Sequence, residues 1–249
     1  MKKTLVKMAA FAAASVFVIA SCSKPAPENG DNGGLKDPTT EGEGGEGVTP
    51  AHPSLAGSEY VLLGLDESTT ASLGNKVKAN YFVDDETMFL YVWENTYTGG
   101  TSSGLNFYGE AAPWTSLVVG NGGWSGAGWV RNGGIPHFVS DASDMTKWKF
   151  HIAYKGAANV AHICIITWNG GTYKFAVGQG SLDDNGATYK AIAPKSGEFK
   201  ANVWNEYEVS LGDMGLDFTK DAKQDNILSI LSGGVAGTTL DIDAMFFYK

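Results

Sequence analysis

The sequence predicts an all-β protein folded as a two-sheet β-sandwich, with a jelly roll as the favoured topology. Three observations predict it. Apolar side chains recur at every second position through most of residues 55–249, Gly-rich turns separate these runs, and no window of a dozen residues holds a 3.6-residue period. Many short alternating strands without helices need two layers to bury their apolar faces.

Each element has its own pattern. Val77 to Val83 and Thr87 to Trp93 alternate on either side of Asp84-Asp85, which predicts a hairpin. In Trp148-Phe150-Ile152-Tyr154 the apolar set alternates with Lys147, Lys149, His151 and Ala153, a strand with one wet face. Val160 to Trp168 is apolar on both faces apart from His162 and Thr167, which predicts a central strand. Asn169-Gly170-Gly171 is a tight turn, and Thr172 to Val177 returns as the hairpin partner. Trp204 to Val209 alternates again, and the chain closes on Leu240 to Tyr248. The best helical period, Asp221 to Leu231, is short.

The front of the chain is processing signal. Lys2, Lys3 and Lys7 precede the apolar run Met8 to Ala20, whose 13 residues are too few to span a bilayer. The run ends in Ile19-Ala20-Ser21-Cys22, which resembles the lipobox of bacterial lipoproteins; in that family the cysteine is lipidated and becomes the first mature residue. The reading is therefore a signal peptide over 1–21 and a lipidated Cys22. Ser23 to Ser54 mixes Pro, Gly and acids with almost no large apolar side chain, a disordered tether. A flexible chain of about 30 residues has a root-mean-square reach of roughly 30 Å. The folded domain is expected over 55–249.

Charge excludes one large class of partner. The formal net charge is −9 and falls to −12 when the signal, with three Lys and no acid, is removed. Arg131 is the single Arg. Nucleic-acid binding rests on neutralising phosphates with Lys and Arg, so no nucleic-acid partner is expected. With Cys22 acylated, Cys164 has no disulfide partner, and the domain depends on its apolar core.

The segments Asp144 to Ala153, Phe175-Ala176-Val177-Gly178, Trp204 to Val209 and Leu240 to Tyr248, in that order, resemble galactose-binding-like jelly rolls, the accessory modules of carbohydrate-active proteins. With the lipobox and tether, the chain also resembles the small glycan-binding surface lipoproteins of Bacteroidetes polysaccharide-utilisation systems. The resemblance covers the last hundred residues or so at the level of pattern. It implies a polysaccharide or oligosaccharide ligand, an outer-membrane address facing outward or toward the periplasm, membrane contact through the lipid alone, and partnership with an outer-membrane transporter. It implies no required cofactor, although similar jelly rolls often hold a structural calcium between first and last strands.

Candidate binding residues concentrate between Trp93 and Phe138, where aromatics interleave with glycines. Sugars need flat rings for their C–H faces and polar groups for their hydroxyls. The candidates are Trp114, Trp124 and Trp129 with Tyr97, Tyr108, Asn106 and Arg131; Trp93, Trp148, Trp168 and Trp204 read as structural. Asp241 and Asp243, at i and i+2, share a strand face and are the calcium candidates, with Asp66-Glu67 or Asp183-Asp184-Asn185 completing the oxygen set. His162 and Cys164 share a face but read as core. Gly123-Trp124-Ser125-Gly126-Ala127 lacks the second Gly of a nucleophile elbow. Glu206 and Glu208 have a glycosidase-compatible spacing yet read as a wet strand face. The expectation is a non-catalytic, lipid-anchored glycan-binding protein. The alternatives are a protein-interaction lipoprotein using the same aromatics and a polysaccharide hydrolase or lyase.

Overall fold

The computed structural model describes residues 52–84, 86–223, 226–232 and 235–249. The signal segment, Cys22, the tether as far as Ala51, and Asp85 lie outside the described residues.

The described residues form a two-sheet β-sandwich with a separate two-stranded hairpin, Ser181–Asp184 with Ala187–Lys190. The strands are β1 (Tyr60–Gly64), β2 (Val77–Asn80), β3 (Met88–Val92), β4 (Tyr97–Leu105), β5 (Ala111–Val119), β6 (Ser125–Arg131), β7 (Lys149–Gly156), β8 (Ala161–Trp168) and β9 (Gly171–Gly178). They continue with β10 (Ser181–Asp184), β11 (Ala187–Lys190), β12 (Asn205–Ser210), β13 (Asn226–Ser232) and β14 (Thr239–Tyr248). The helices α1 (Glu67–Leu73) and α2 (Ala142–Met145) are short, each capped by an Asp side chain, Asp66 and Asp141. The front sheet runs β12-β7-β14-β1-β2, with β5 also beside β14 and β4 beside β5. The back sheet runs β3-β6-β13-β8-β9. Successive strands cross repeatedly between the sheets, as the jelly-roll expectation requires.

Alternation places the core. Phe150, Ile152 and Tyr154 of β7 and Leu240, Ile242 and Phe247 of β14 point back; Trp129 of β6, Cys164, Ile166 and Trp168 of β8, and Leu228 and Ile230 of β13 point forward to meet them. Trp129 and Trp148 have no exposure at all. The expected turn Asn169-Gly170 closes β8 onto β9 with φ of 45° and 82°, the left-handed pair that such a hairpin needs.

Several expectations are corrected. Val77–Val83 and Thr87–Trp93 do not pair: β2 lies parallel to β1 in the front sheet, while β3 joins β6 in the back sheet. Asp84 turns the chain between layers instead, its Oδ1 accepting the amides of Glu86, Thr87 and Met88. Those bonds hold its carboxyl far below the usual range. The weak helical period near Asp221–Leu231 becomes the interior strand β13, whose pairing on both sides overrides local preference. The face of β7 expected to be wet is wet only at its ends, since His151 and Ala153 are fully buried. The tether's expected end at Ser54 lies inside the fold: Ser54 is fully buried, its carbonyl accepts from the Tyr60 hydroxyl, and its Oγ lies 2.9 Å from the Tyr108 hydroxyl.

A core indole between two sheets leaves a large void when removed. Trp129→Ala is therefore expected to cost about 3–5 kcal/mol of unfolding free energy, read as a lowered midpoint in chemical denaturation.

Candidate functional site

The outer face of the front sheet divides into a covered half and an open half. β14 carries the division. Its first half pairs with β5 and its second with β1, and the register against β7 shifts between Asp243 and Phe246. At that bulge Ala244 takes φ of 49°. Its carbonyl accepts from His151 Nδ1 at 2.7 Å.

The covered half is closed by the segment 52–56 and by the β4–β5 loop. Asn106 builds that loop: its Oδ1 accepts the amides of Tyr108 and Glu110, and its Nδ2 reaches Asp66. Phe107 donates its amide to Asp243 Oδ2, and its ring meets His52 and His151. Beneath them Phe246 stacks on His151 with ring centroids 4.5 Å apart.

At the edge of this half, His151, Glu206 and Glu208 place donor atoms within 4.8 Å of one another. Each is already engaged. Lys195 Nζ lies 3.1 Å from Glu206 and 2.9 Å from Glu208, His151 Nε2 lies 3.1 Å from Glu206, and Tyr248 donates to Glu208. An ammonium thus sits where a cation bridging the two carboxylates would go. Burial raises the Glu206 carboxyl, but bonds from His151 and Lys195 and their charges outweigh it and hold it at about 2. Glu208 is likewise held below its ordinary value by Tyr248 and Lys195 against the cost of burial. A glycosidase acid needs a raised carboxyl pKa, and both of these are shifted the other way.

The open half is different in kind. Outward-facing Trp114 and Ser116 of β5, Ser102 of β4, Lys155 of β7 and Asp241 of β14 stand together with Trp204, which immediately precedes β12. The Trp114 and Trp204 rings meet edge to face at 5.4 Å and 88°. Lys155 Nζ lies in the corner between them, 4.2 Å and 4.6 Å from the ring centroids, and 3.0 Å from Asp241 Oδ2. The other Asp241 oxygen accepts from Ser116, whose Oγ is 2.7 Å from that of Ser102. Trp204 Nε1 is held by the Leu105 carbonyl at 3.3 Å, while the buried Trp114 Nε1 has no partner. Leu105 and Val203, 68% and 45% exposed, flank the corner. The arrangement sets two half-buried indoles, half-buried Lys155 and half-buried Ser102 around Asp241 and Ser116, which are themselves buried.

The sequence candidates are distributed unevenly around this surface. Trp114 and Asp241 belong to it. Trp204, expected to be structural, is the second wall of the corner; it precedes the first residue of β12 and so escapes the burial of the strand. Trp129 and Tyr97 are corrections: both are buried between the sheets, because alternation along β6 and β4 turns them inward. Asn106 and Tyr108 brace the β4–β5 loop, Asn106 buried and Tyr108 half-buried there. Arg131 stacks over Tyr81 at 4.8 Å and donates to the Thr87 carbonyl, beside the back sheet. Trp124 stands on the outer face of the back sheet, away from Trp114. Lys155 was missed, although its position opposite Asp241 in adjacent strands is a cross-strand ion pair.

Asp241, Asp243 and Asp66, three of the calcium candidates, are each already engaged. Asp241 is neutralised by Lys155, both Asp243 oxygens accept backbone amides, from Phe107 and Ala244, and Asp66 caps α1. His162 and Cys164 share a buried face as expected, with burial holding His162 down at about 4 and pushing the Cys164 thiol up.

No family model matches the chain, and no curated protein does. Among solved structures it is similar to an exo-β-agarase, at 11% identity and a TM-score of 0.40 over 64% of this chain and 22% of that chain. It is also similar to a family 30 carbohydrate-binding module of a cellulosomal cellulase of Clostridium thermocellum, at 14% identity and a TM-score of 0.38 over 64% and 86%. A third is a family 11 carbohydrate-binding module from a cellulosomal cellulase of the same organism, at 10% and 0.37 over 65% and 87%.

Buried His162 and half-buried Glu206 separate the acid limb of stability into windows. His162 takes up no proton in the fold until about pH 4, whereas the unfolded chain binds one near 6.5, so stability falls as pH drops between these values. Glu206, depressed to about 2, contributes stability above its unfolded value near 4.5 that is lost as pH falls toward 2. Melting temperature against pH is expected to lose its upper limb in His162→Gln and its lower limb in Glu206→Gln.

Proposed function

We propose that this protein is a non-catalytic, lipid-anchored binder of polysaccharide or oligosaccharide that works through the open half of the front sheet. The observation that carries the reading is the Trp114–Trp204 corner with Lys155, Asp241, Ser116 and Ser102 inside one patch. A sugar ring presents an apolar C–H face ringed by hydroxyls. An indole takes the first, and hydroxyl, ammonium and carboxylate groups take the second. Lys155 and Asp241 compensate one another, so the patch carries no net charge to demand an ionic ligand.

In this reading Cys22 is the lipid attachment point, the tether of acids, Pro and Gly holds the domain off the outer membrane, and the ligand is presented at the cell surface, where an outer-membrane transporter would receive it. A second reading is supported by Leu105 and Val203, whose exposure beside Trp204 makes an apolar rim of the kind that docks another protein.

Two measurements test the proposal. In native gels containing xyloglucan, pectic galactan, barley β-glucan, yeast mannan or mucin, at least one polysaccharide is expected to retard the protein, and Trp114→Ala and Trp204→Ala each to weaken the retardation. Unretarded migration on every gel leaves the protein-docking reading ahead. For the anchor, Cys22→Ser is expected to move the protein from the membrane fraction to the soluble fraction, and unchanged fractionation counts against lipidation.

A further inference from the structure

We infer that the domain carries a second glycan-binding surface on the opposite side of the sandwich, where Trp93 and Trp124 stand beside Glu94, Asn95 and Asn121. The inference rests on the reading that the domain binds polysaccharide, and it makes the domain two-sided.

Alternation sets the surface. Met88, Leu90 and Val92 of β3 and Ala127 and Trp129 of β6 enter the core, so Tyr91, Gly126 and Gly128 face out from the back sheet. A Cβ on Gly126 would lie 2.7 Å from the Trp93 ring and 3.0 Å from the Trp124 ring, and one on Gly128 would lie 3.1 Å from Trp93. The indole of Trp93 therefore rests on bare backbone that only glycine provides. Tyr91 meets Trp93 at 6.0 Å. Trp124, at 42%, is the one exposed Trp among the described residues.

The polar rim is held at a conformational cost. Glu94 and Asn95 follow Trp93 with φ of 51° and 56°, a region that side chains other than glycine resist. Thr96 enforces the turn: its Oγ1 accepts the Gly126 amide at 2.9 Å, and its carbonyl accepts from Ser125 Oγ at 2.6 Å and the Gly120 amide at 2.7 Å. The same bonds tie the turn to the loop 120–124, which carries Asn121 and Trp124. One carboxylate and two carboxamides, all exposed, thus stand beside two indoles. These groups bind hydroxyls, and no cation is among them to attract an anion. A net charge of −9 opposes a second copy of the chain as the occupant. Two faces on one domain can engage two chains, or two stretches of one, and gain avidity without any new contact.

The test uses the Cys22→Ser protein in the same polysaccharide gels, with turbidity of polysaccharide mixtures as a readout of cross-linking. Trp124→Ala removes an exposed side chain, and an unchanged melting temperature reports its fold; Glu94→Gln probes the rim without touching a ring. The double variant Trp114→Ala with Trp204→Ala is expected to stay retarded on at least one gel, Trp124→Ala added to it to abolish the shift, and only the protein with both faces intact to cross-link. If the double variant alone abolishes all retardation, or if Trp124→Ala and Glu94→Gln leave both readouts unchanged, the second surface is refuted while the front site stands. If the unaltered protein is retarded by none of the polysaccharides, both surfaces fall as glycan sites.

Discussion

The bond from His151 Nδ1 to the Ala244 carbonyl is the contact on which the front face depends. β14 is paired on both sides along its length, and its neighbours change from β5 to β1 partway along. A flat strand cannot make that change without a break in register. Ala244 supplies the break by entering the left-handed region, and the buried imidazole takes up the carbonyl that the bulge frees. One consequence is spatial. Asp241, before the bulge, faces the open patch, while Asp243 at the bulge and Phe246 and Tyr248 after it face the segment 52–56 and the β4–β5 loop.

Electrostatics follows the same division. In the covered half Glu206 and Glu208 face Lys195 and Lys149, with His151 between sheet and carboxylate. Both carboxyls are held below their ordinary range by these partners, which tie the end of β12 to β7 and to Lys195. In the open half a single pair, Lys155 and Asp241, is compensated and sits between two indoles. The ammonium gains the ring faces as well as the carboxylate, so the side chain is fixed in place without a cage of further charges. The two indoles, the hydroxyls and the compensated pair set this patch apart from the rest of the face.

Much of the candidate site was legible in part. Trp114 stood out because it follows Pro113 in a Gly-rich, aromatic region, and Asp241 because it alternates with apolar residues on the last strand. Trp204 was misread because its alternation with Tyr207 and Val209 looks continuous, whereas Trp204 shares the outward parity of Glu206 and Glu208. Trp129 erred in the opposite direction. The glycines around it suggested a loose loop, but Gly126 and Gly128 are the outward positions of a strand, emptied of side chains to receive Trp93, and Trp129 takes the inward parity.

By itself the sequence determined the fold class, the inward set of β7, the Asn169-Gly170 hairpin and the acidic balance, since these depend on periodicity, turn chemistry and charge, all local properties of the chain. Tertiary structure alone decided which strands share a sheet. β2 and β3, adjacent in sequence and alternating in pattern, lie in different sheets because the Asp84 turn changes layers. It also decided that residues as far apart as Ser102, Trp114, Lys155, Trp204 and Asp241 meet. Cross-strand register brings them together, and register is set by the pairing of the whole sheet, which no local pattern records.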